Sequence, residues 1–310
     1  MNTARPRVLV LGSAGFIGSA LGRYLADRDF RVHALGRSEA EETHPNLVRM
    51  RGSIEDRGLL REALAACEHV VYAAAMTTPG TSARDPGLEV LGNLLPLSRL
   101  LECAADFPGR RVVYLSSGGA IYGEAARDAG ETDPLRPRSY YGAGKVAAEA
   151  FLHACVASSD WTAVSLRPTN LYGPGQHATK GFAIVPTLFD RAIDGQPFQI
   201  WGDGSSVRDY CHIDDLLAAI ELAVVKPLKS DFNVYNVASG QSASILELVE
   251  ACQLASGRPI RTEFRPLRGV DVACVSPSHQ AISDELGWAP HFDLKTGLEQ
   301  TWHWHQKSRP

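Results

Sequence analysis

Short apolar runs alternate with amphipathic segments through the first half of the chain. The first run, Val8 to Leu11, is rich in β-branched residues and predicts a strand buried on both faces. Five further strands are predicted at 31–35, 47–51, 69–74, 111–115 and 162–166, with helical segments that include 19–27, 57–66 and 94–105. Such alternation predicts an α/β fold, a doubly wound parallel sheet with its ligand at the carboxyl ends of the strands.

The regular alternation stops after Asn170, where prolines and glycines punctuate short segments. This change predicts a smaller lobe whose chain returns across the sheet. A strand is expected at 198–201, before the turn Gly202-Asp203-Gly204. Asp214 and Asp215 are expected to cap a helix that runs through about Val225, and Ser244 to open one that runs through Ala255.

A glycine-rich loop follows the first strand. Gly12, Gly15 and Gly18 stand between Leu11 and a helical pattern, in the spacing G-x-x-G-x-x-G. Glycines permit the tight turn and let the backbone approach a diphosphate at a helix N-terminus. The stretch Gly12 to Gly18, with Phe16 and Ile17, therefore predicts a dinucleotide site.

The residues after the second strand bear on the choice of dinucleotide. A site specific for NAD usually places an acid there, to accept from the ribose 2′-hydroxyl. Arg37 and Ser38 stand there instead, and they suit a 2′-phosphate, which favours NADP. Arg37 as a solvated loop residue is the other interpretation, and both stay open.

Tyr141 and Lys145 lie four residues apart, hence one turn apart on the same face of a helix. A phenol has a reference pKa of about 10, so it is a poor base at neutral pH. A neighbouring ammonium group, and a cationic ring bound beside it, favours the phenolate. The pair therefore predicts a base that takes a proton from a substrate hydroxyl while a hydride leaves the same carbon.

Composition narrows the class of protein. The 310 residues are 45% hydrophobic and 21% charged, as in a folded globular protein, and a net charge of -4 favours neither nucleic acid nor an anionic membrane as a partner. The six cysteines are far apart and lack a Cys-x-x-Cys pair, so we expect free thiols in the cytoplasm and no metal. The absence of a signal-peptide core or a spanning apolar run agrees with that location.

The chain resembles the extended short-chain dehydrogenase/reductases, and within them the UDP-glucose 4-epimerase-like enzymes of the NAD-dependent epimerase/dehydratase family. The resemblance covers nearly the whole length. Besides the glycine loop and the Tyr141/Lys145 pair, it is carried by Ser53-Ile54, Tyr72 to Ala75, Asn93, Ser116 to Gly123, Leu166 to Pro174, Gly202 to Gly204, Arg208 to Tyr210, Arg268 to Asp271 and Thr301 to Trp304.

The resemblance implies a Rossmann domain at 1–170, with return segments near 205–225, and a smaller C-terminal substrate-binding lobe that is mainly 171–310. It places Ser53 and Ile54 at the adenine, where relatives often have aspartate for Ser53. It also implies contacts to the diphosphate and nicotinamide riboside from Ala73, Ala74 and Ala75, with Pro168, Asn93 and Ser116 near the cofactor.

The resemblance also implies a catalytic hydroxyl just after the fifth strand. Counted back from Tyr122-Gly123, its usual position is Gly118, which has no side chain. We expect Ser117 to take the role, because the neighbouring diglycine lets the loop shift. Ser116 is the other hydroxyl in reach. The alternative is that both serines only form hydrogen bonds with backbone groups at the strand end.

The same loop distinguishes a 4-epimerase from a 4,6-dehydratase. Sugar-nucleotide 4,6-dehydratases carry an acid pair here, because eliminating water needs a second acid and base. Gly118, Gly119 and Ala120 cannot supply one, so dehydration is disfavoured.

The expected substrate is a UDP-sugar or another nucleoside-diphosphate sugar. By resemblance, Arg208 and Arg268 bind the diphosphate with Asn170 as an amide donor, since a guanidinium meets phosphate oxygens in pairs. Asp203 and Asp209 are expected to hold these loops. Gln199 and Trp201 match the edge that holds the base, and Val275 borders the sugar's 2-substituent, although a shift of one residue would put Cys274 there.

These features favour a nucleotide-sugar 4-epimerase with bound NAD or NADP. An NADP-dependent reductase of a 4-keto sugar nucleotide is the second hypothesis, and a non-catalytic nucleotide-binding protein is the third. The family also implies a homodimer through a four-helix bundle, for which 94–105 and 143–157 are the candidate segments.

Overall fold

The structure is a computed structural model that describes residues 6–38, 44–124, 126–178, 183–267 and 272–308. Its strands are β1 (Arg7–Leu11), β2 (Arg31–Gly36), β3 (Leu47–Arg51), β4 (His69–Tyr72), β5 (Arg111–Leu115), β6 (Ala126–Ala129), β7 (Thr162–Pro168), β8 (Asn170–Tyr172), β9 (Phe198–Trp201), β10 (Val207–His212), β11 (Phe232–Val237), β12 (Ser242–Ser244), β13 (Thr262–Arg265) and β14 (Cys274–Pro277).

Its helices are α1 (Phe16–Ala26), α2 (Arg57–Ala65), α3 (Pro86–Glu89), α4 (Leu95–Leu101), α5 (Gly118–Ile121), α6 (Tyr140–Ala157), α7 (Ile184–Asp194), α8 (Ile213–Val225), α9 (Ile245–Ser256), α10 (Gln280–Leu286) and α11 (Leu294–Ser308). A π-helical turn, Val90–Leu94, joins α3 to α4.

The chain divides into two compact units, with Met1–Ser116, Tyr140–Leu166 and Leu217–Tyr235 in the first. The second contains Ser117–Ser139, Arg167–Leu216 and Asn236–Pro310. The assignment of dinucleotide binding to 1–170 and of the substrate mainly to 171–310 stays a prediction.

A seven-stranded sheet forms the centre of the first unit, in the order β11-β7-β5-β4-β1-β2-β3. Strand β1 pairs in parallel with β2 on one side and with β4 on the other. The order therefore reverses between β1 and β4, and ligands of such sheets bind where the order reverses. The predicted doubly wound parallel α/β fold is confirmed.

All six predicted strands are present, and β11 is an additional one. Asn233 and Asn236 interrupt its apolar run, which explains why the hydrophobic pattern did not indicate it. Strand β4 ends at Tyr72 rather than Ala74, because the backbone leaves the ladder after Ala73, whose N–H donates to the Leu11 carbonyl.

The helix predicted at 94–105 begins earlier and is not regular. Asp85 caps α3, its carboxylate accepting from the Leu88 N–H, and Pro86 occupies the first turn. An Asp-Pro pair is a helix start signal that the apolar pattern alone does not contain. The π-helical turn follows, and α4 ends at Leu101.

The core of the first unit packs α2, α4 and α6 against the sheet through side chains such as Leu60, Leu97, Leu152 and Trp161. Trp161 also donates its indole N–H to the Phe107 carbonyl at 2.6 Å. The buried Val and Leu residues of β1 are fully excluded from solvent, as expected for a strand covered on both faces.

The second unit holds a five-stranded sheet in which β12, β10, β14 and β6 follow one another and β8 also pairs with β10. A separate ribbon joins β9 to β13. Helices α7, α9 and α11 pack around a core that includes Phe189, Leu248 and Trp302. The predicted strand at 198–201 is confirmed.

Ser244 opens α9 as predicted, with a complete capping box formed with Glu247. The prediction for Asp214 and Asp215 was wrong in detail, because α8 begins at Ile213 and both acids lie in its first turn. Asp215 serves another purpose, since its carboxylate accepts from the backbone N–H groups of His291 and Phe292 at 2.8 and 3.2 Å.

Two further features concern the class of protein. All six cysteines are free, in agreement with the prediction. Within the described ranges, the helices are too short or too polar to cross a lipid bilayer.

Candidate active site

The glycine loop brings the ends of β1 and β4 into contact. Gly12 has φ +88°, and a Cβ there would lie 2.6 Å from both N and Cα of Ala74. A Cβ on Gly18 would lie 2.2 Å from the Gly12 carbonyl oxygen. Glycine is therefore required at both positions, and the loop lies against the predicted cofactor residues Ala73 and Ala74.

Helix α1 starts directly from this loop. Gly15 is its N-cap and has no side chain that could accept from the first N–H groups of the helix. Phe16 and Ile17 are the first two helical residues, and both are half-buried. The backbone N–H groups and the dipole of a helix N-terminus together form an anion site.

Arg37 and Ser38 are exposed after the end of β2. A guanidinium nitrogen of Arg37 lies 4.0 Å from the sulfur of Met76, which follows Ala73 to Ala75. On the neighbouring strand, Gly36 is in register with Arg51, so a second arginine stands at the same end of the sheet. Sequence reasoning did not identify Arg51.

Ser53 and Ile54 follow β3 and are half-buried. The Ser53 hydroxyl accepts from the Glu55 N–H at 3.2 Å, and Ile54 packs against the core of the first unit. Neither contact contradicts their predicted place at an adenine.

Helix α6 carries Tyr141 and Lys145 on adjacent turns. The Lys145 side chain is only 4% exposed, and its ammonium group donates to the Leu115 carbonyl at 2.7 Å. The Nζ atom lies 5.6 Å from the ring centre of Tyr141 and 4.9 Å from that of Tyr114. The predicted pair is thus held together at the carboxyl end of β5.

Burial lowers the pKa of Lys145 to about 8, while the charges of Glu89 and Glu149 act to raise it. The ammonium form is therefore present below about pH 8 and is lost as the pH rises through that value. A buried lysine with a pKa close to neutral is typical of a functional site.

Ser116 follows Leu115 and is 4% exposed. Its backbone N–H donates to the Leu166 carbonyl at 2.7 Å, whereas its hydroxyl has no hydrogen-bond partner among the described residues. A buried hydroxyl without a partner costs free energy, so a polar ligand group at this strand end would satisfy it.

Asn93 is at the end of a buried polar chain that the sequence did not indicate. Its side-chain oxygen accepts from the Met76 N–H at 2.8 Å, and its amide nitrogen donates to Glu89 and Thr77 at 2.7 and 2.6 Å. Thr77 in turn donates to Glu89. The wide π-helical turn allows Asn93 to point inward in this way.

Ser117 and Gly118 belong to the second unit, where Ser117 is the N-cap of α5 and makes no side-chain capping bond. A Cβ on Gly118 would lie 2.7 Å from the Arg167 carbonyl oxygen. A side chain at position 118 would therefore collide with the backbone unless the loop moved.

Arg208 and Val275 are neighbours in register on β10 and β14. Arg208 donates to the carbonyl groups of Val207 and Val272 at 2.8 and 2.7 Å, and Val275 and Cys274 are both buried. The predicted Arg268 lies outside the described residues.

Asp209, next to Arg208, is fully buried and accepts from both the N–H and the hydroxyl of Ser239, while burial raises its pKa. Asp203 accepts from the N–H and hydroxyl of Ser205. Both acids therefore hold loops, as expected.

The remaining predicted residues of the second unit occupy three places. Asn170 donates its amide to the Asp209 carbonyl at 2.9 Å, and Pro168 is buried at the end of β7. Gln199 and Trp201 lie on β9 opposite Glu263 and Arg265, and Trp201 is 40% exposed.

The residues of the first unit fit a dinucleotide. The close approach at Gly12 leaves only backbone beside Ala74, and the start of α1 offers N–H groups to a diphosphate. The Ser116 hydroxyl has no partner in the part of the chain that the structure describes. These are chemical requirements of such a ligand, and they occur at the strand ends where the sheet order reverses.

The chain belongs to the NAD dependent epimerase/dehydratase family, whose sequence pattern matches residues 8–238. It is 33% identical to a UDP-glucose 4-epimerase of Mycolicibacterium smegmatis over 307 residues, which cover 95% of this chain and 97% of that relative. It is 32% identical to a dTDP-4-dehydro-6-deoxy-D-allose reductase of a Streptomyces species over 319 residues, 96% of each chain.

Among solved structures, it is similar to MoeE5 in complex with UDP-glucuronic acid and NAD, with a TM-score of 0.91 and 29% identity. The similarity covers 98% of this chain and 100% of that one. These comparisons confirm the predicted family and fold. They also indicate an enzyme of the sugar-nucleotide epimerase, dehydratase and reductase group with a nicotinamide cofactor.

The contact at Gly118 gives a first prediction. Gly118→Ser should reduce the free energy of unfolding by about 1–3 kcal/mol, because the new side chain collides with backbone rather than with a flexible group. Gly119→Ser is the matched control, since its Cβ would be 3.7 Å from the nearest atom, Asn170 Oδ1. Chemical denaturation of both variants measures the effect, and equal stability of the two would contradict this reading of the loop.

Proposed function

We propose that this protein is a nucleotide-sugar 4-epimerase that interconverts UDP-glucose and UDP-galactose or the corresponding N-acetylhexosamine pair. The observation that carries the proposal is the placement of Tyr141 one turn from the buried ammonium of Lys145. The UDP-glucose 4-epimerase relative and the acid-free loop at Gly118 to Ala120 support it further.

In this mechanism Tyr141 is the base. Lys145 has a pKa of about 8 and is therefore largely protonated at neutral pH, where its positive charge favours the phenolate of Tyr141. Tyr141 takes the proton of the sugar 4-hydroxyl and later returns it, with Ser117 proposed as the hydrogen-bond donor to the reacting oxygen. Bound NAD or NADP supplies a reversible hydride acceptor for C4.

The remaining proposed residues bind the cofactor or the substrate. The N-terminus of α1 and the loop Gly12 to Gly18 hold the cofactor diphosphate. The residues proposed to contact the adenosine are Arg37, Ser38, Ser53 and Ile54. Those proposed to contact the nicotinamide riboside are Ala73 to Ala75, Asn93, Ser116 and Pro168. Arg208, Arg268 and Asn170 hold the diphosphate of the substrate, and Gln199, Trp201 and Val275 contact its base and sugar. A sugar held only through its diphosphate is free to turn between the two half-reactions.

Replacement of the base tests the proposal directly. Tyr141→Phe should lower kcat by about 10²- to 10⁴-fold with little change in KM, because only the proton transfer is lost. Tyr140→Phe is the matched control, since Tyr140 is the preceding residue and is 47% exposed. The assay follows UDP-galactose and UDP-N-acetylgalactosamine without added cofactor. Failure of the wild type to convert either sugar would exclude the proposed substrates.

A reductase of 4-keto sugar nucleotides is the second candidate. The basic strand ends at Arg37 and Arg51 and the reductase relative favour it. A reductase consumes a reduced dinucleotide in every turnover, whereas an epimerase regenerates its own. Oxidised NAD released from the denatured protein would support the epimerase, and an empty or NADPH-binding protein would support the reductase.

A variant of Arg37 tests whether the cofactor is NADP or NAD. If it binds a 2′-phosphate, Arg37→Gln should weaken NADPH binding about tenfold or more through the loss of a charge-assisted hydrogen bond, and leave NADH binding unchanged. Arg31→Gln, an exposed arginine at the start of the same strand, is the control. Equal affinities of wild type and Arg37→Gln for NADPH would mean that Arg37 is a solvated loop residue.

We also propose a homodimer through α4 and α6, which contact each other in the first unit. A groove between their outer faces is lined by Leu101, Phe151 and Cys155, and Phe151 is 49% exposed. Sedimentation equilibrium should give twice the chain mass of 33.5 kDa, and Phe151→Glu should give the monomer.

A further inference from the structure

Glu89 is a buried acid of the first unit that has no role in the proton and hydride transfers proposed above. It ends α3 and is 3% exposed. The hydrogen-bond donors around its carboxyl group favour the ionised form. The Asn93 amide oxygen accepts from the Met76 N–H, so the amide nitrogen must be the atom that faces Glu89, and the Thr77 hydroxyl also donates to Glu89. Both partners donate, which suits an ionised carboxylate that only accepts.

This carboxylate touches the turn that carries the catalytic pair. Gly144 lies between Tyr141 and Lys145, and a Cβ there would be 2.2 Å from Glu89 Oε1 and 2.6 Å from Glu89 Cγ. The side chain of Glu89 thus occupies the space that any other residue at 144 would fill. The glutamate at position 89 therefore requires a glycine at position 144, although the two positions are 55 residues apart in the sequence.

A second carboxylate faces the same amine from within α6. Glu149 is one turn beyond Lys145, is 6% exposed and accepts from the Ser165 hydroxyl at 2.9 Å. The groups around Lys145 are then the carboxylates of Glu89 and Glu149, the rings of Tyr114 and Tyr141, and the Leu115 carbonyl. Burial opposes the ammonium form, and these two negative charges support it.

We propose that Glu89 is a positioning residue of the active site, which Asn93 and Thr77 hold against Gly144 so that its charge keeps the buried Lys145 protonated beside Tyr141. Its role is exercised through Lys145, and it does not itself touch the substrate. The proposal rests on the proposed function for the role of Lys145 in catalysis, but the charge state of that amine can be measured independently.

The direct measurement is an NMR titration of protein labelled with ¹³C at the lysine side chain. The chain has only six lysines, so the Lys145 signal can be assigned from its loss in Lys145→Met. In wild type this signal should titrate near pH 8. In Glu89→Gln, which keeps the shape and removes the charge, it should titrate at a lower pH. Glu62→Gln, an exposed glutamate of α2, should leave it unchanged.

Activity gives a second readout with a defined sign. The active form of Lys145 is the ammonium, so its deprotonation sets the alkaline limb of the pH profile. A fall of about one unit in its pKa costs about tenfold in ammonium above both values. In Glu89→Gln, kcat should therefore drop about tenfold at alkaline pH and much less near pH 6. A purely structural role would lower kcat evenly across the profile.

Glu89→Asp provides a second variant in case Glu89→Gln does not fold. It retracts the carboxylate by one methylene and keeps its charge, so it should lower the pH at which Lys145 titrates by a smaller amount than Glu89→Gln does. An unchanged Lys145 titration in either folded variant overturns the proposal. A shifted titration in a protein without epimerase activity would instead reject the proposed function and leave the role of Glu89 intact.

Discussion

A single buried amine, Lys145, sets the conditions that its neighbours must meet. Removing an ammonium group from water is costly unless nearby charges and hydrogen-bond acceptors compensate for the lost solvation. The structure provides the Leu115 carbonyl at 2.7 Å and the carboxylates of Glu89 and Glu149. The opposing effects of burial and negative charge leave the pKa of Lys145 at about 8, which is high enough for the ammonium form to predominate at pH 7.

Each of these partners comes from a different element of the first unit. Leu115 ends strand β5, Glu89 ends α3, and Glu149 lies on α6 with Lys145 itself. The parallel sheet therefore does more than form a core, because its strand ends place the Leu115 carbonyl, the glycine loop and the buried Ser116 hydroxyl at the same edge. This arrangement suits the nicotinamide cofactor that the family and its solved structures indicate.

The sequence predicted what depends on local pattern. Strand β1 and its neighbours are covered on both faces, so their apolar runs are unambiguous, and Gly12 and Gly18 are needed by contacts within the same loop and strand pair. Features that depend on distant contacts were not accessible. Glu89 reads as an ordinary helix acid until its contact with Gly144 is known, and the reason for Gly118 lies in the Arg167 carbonyl. Asp215 was assigned to a helix cap because its partners, His291 and Phe292, are far along the chain.

The most direct test of the proposed chemistry is the fate of the hydrogen at C4 of the sugar. UDP-galactose with deuterium at C4 should be converted to UDP-glucose that retains the deuterium at C4, without added nicotinamide, because removal and return occur within one bound complex. Loss of the label to solvent, or its appearance in free nicotinamide cofactor, would contradict an epimerase that works through Tyr141 and Lys145.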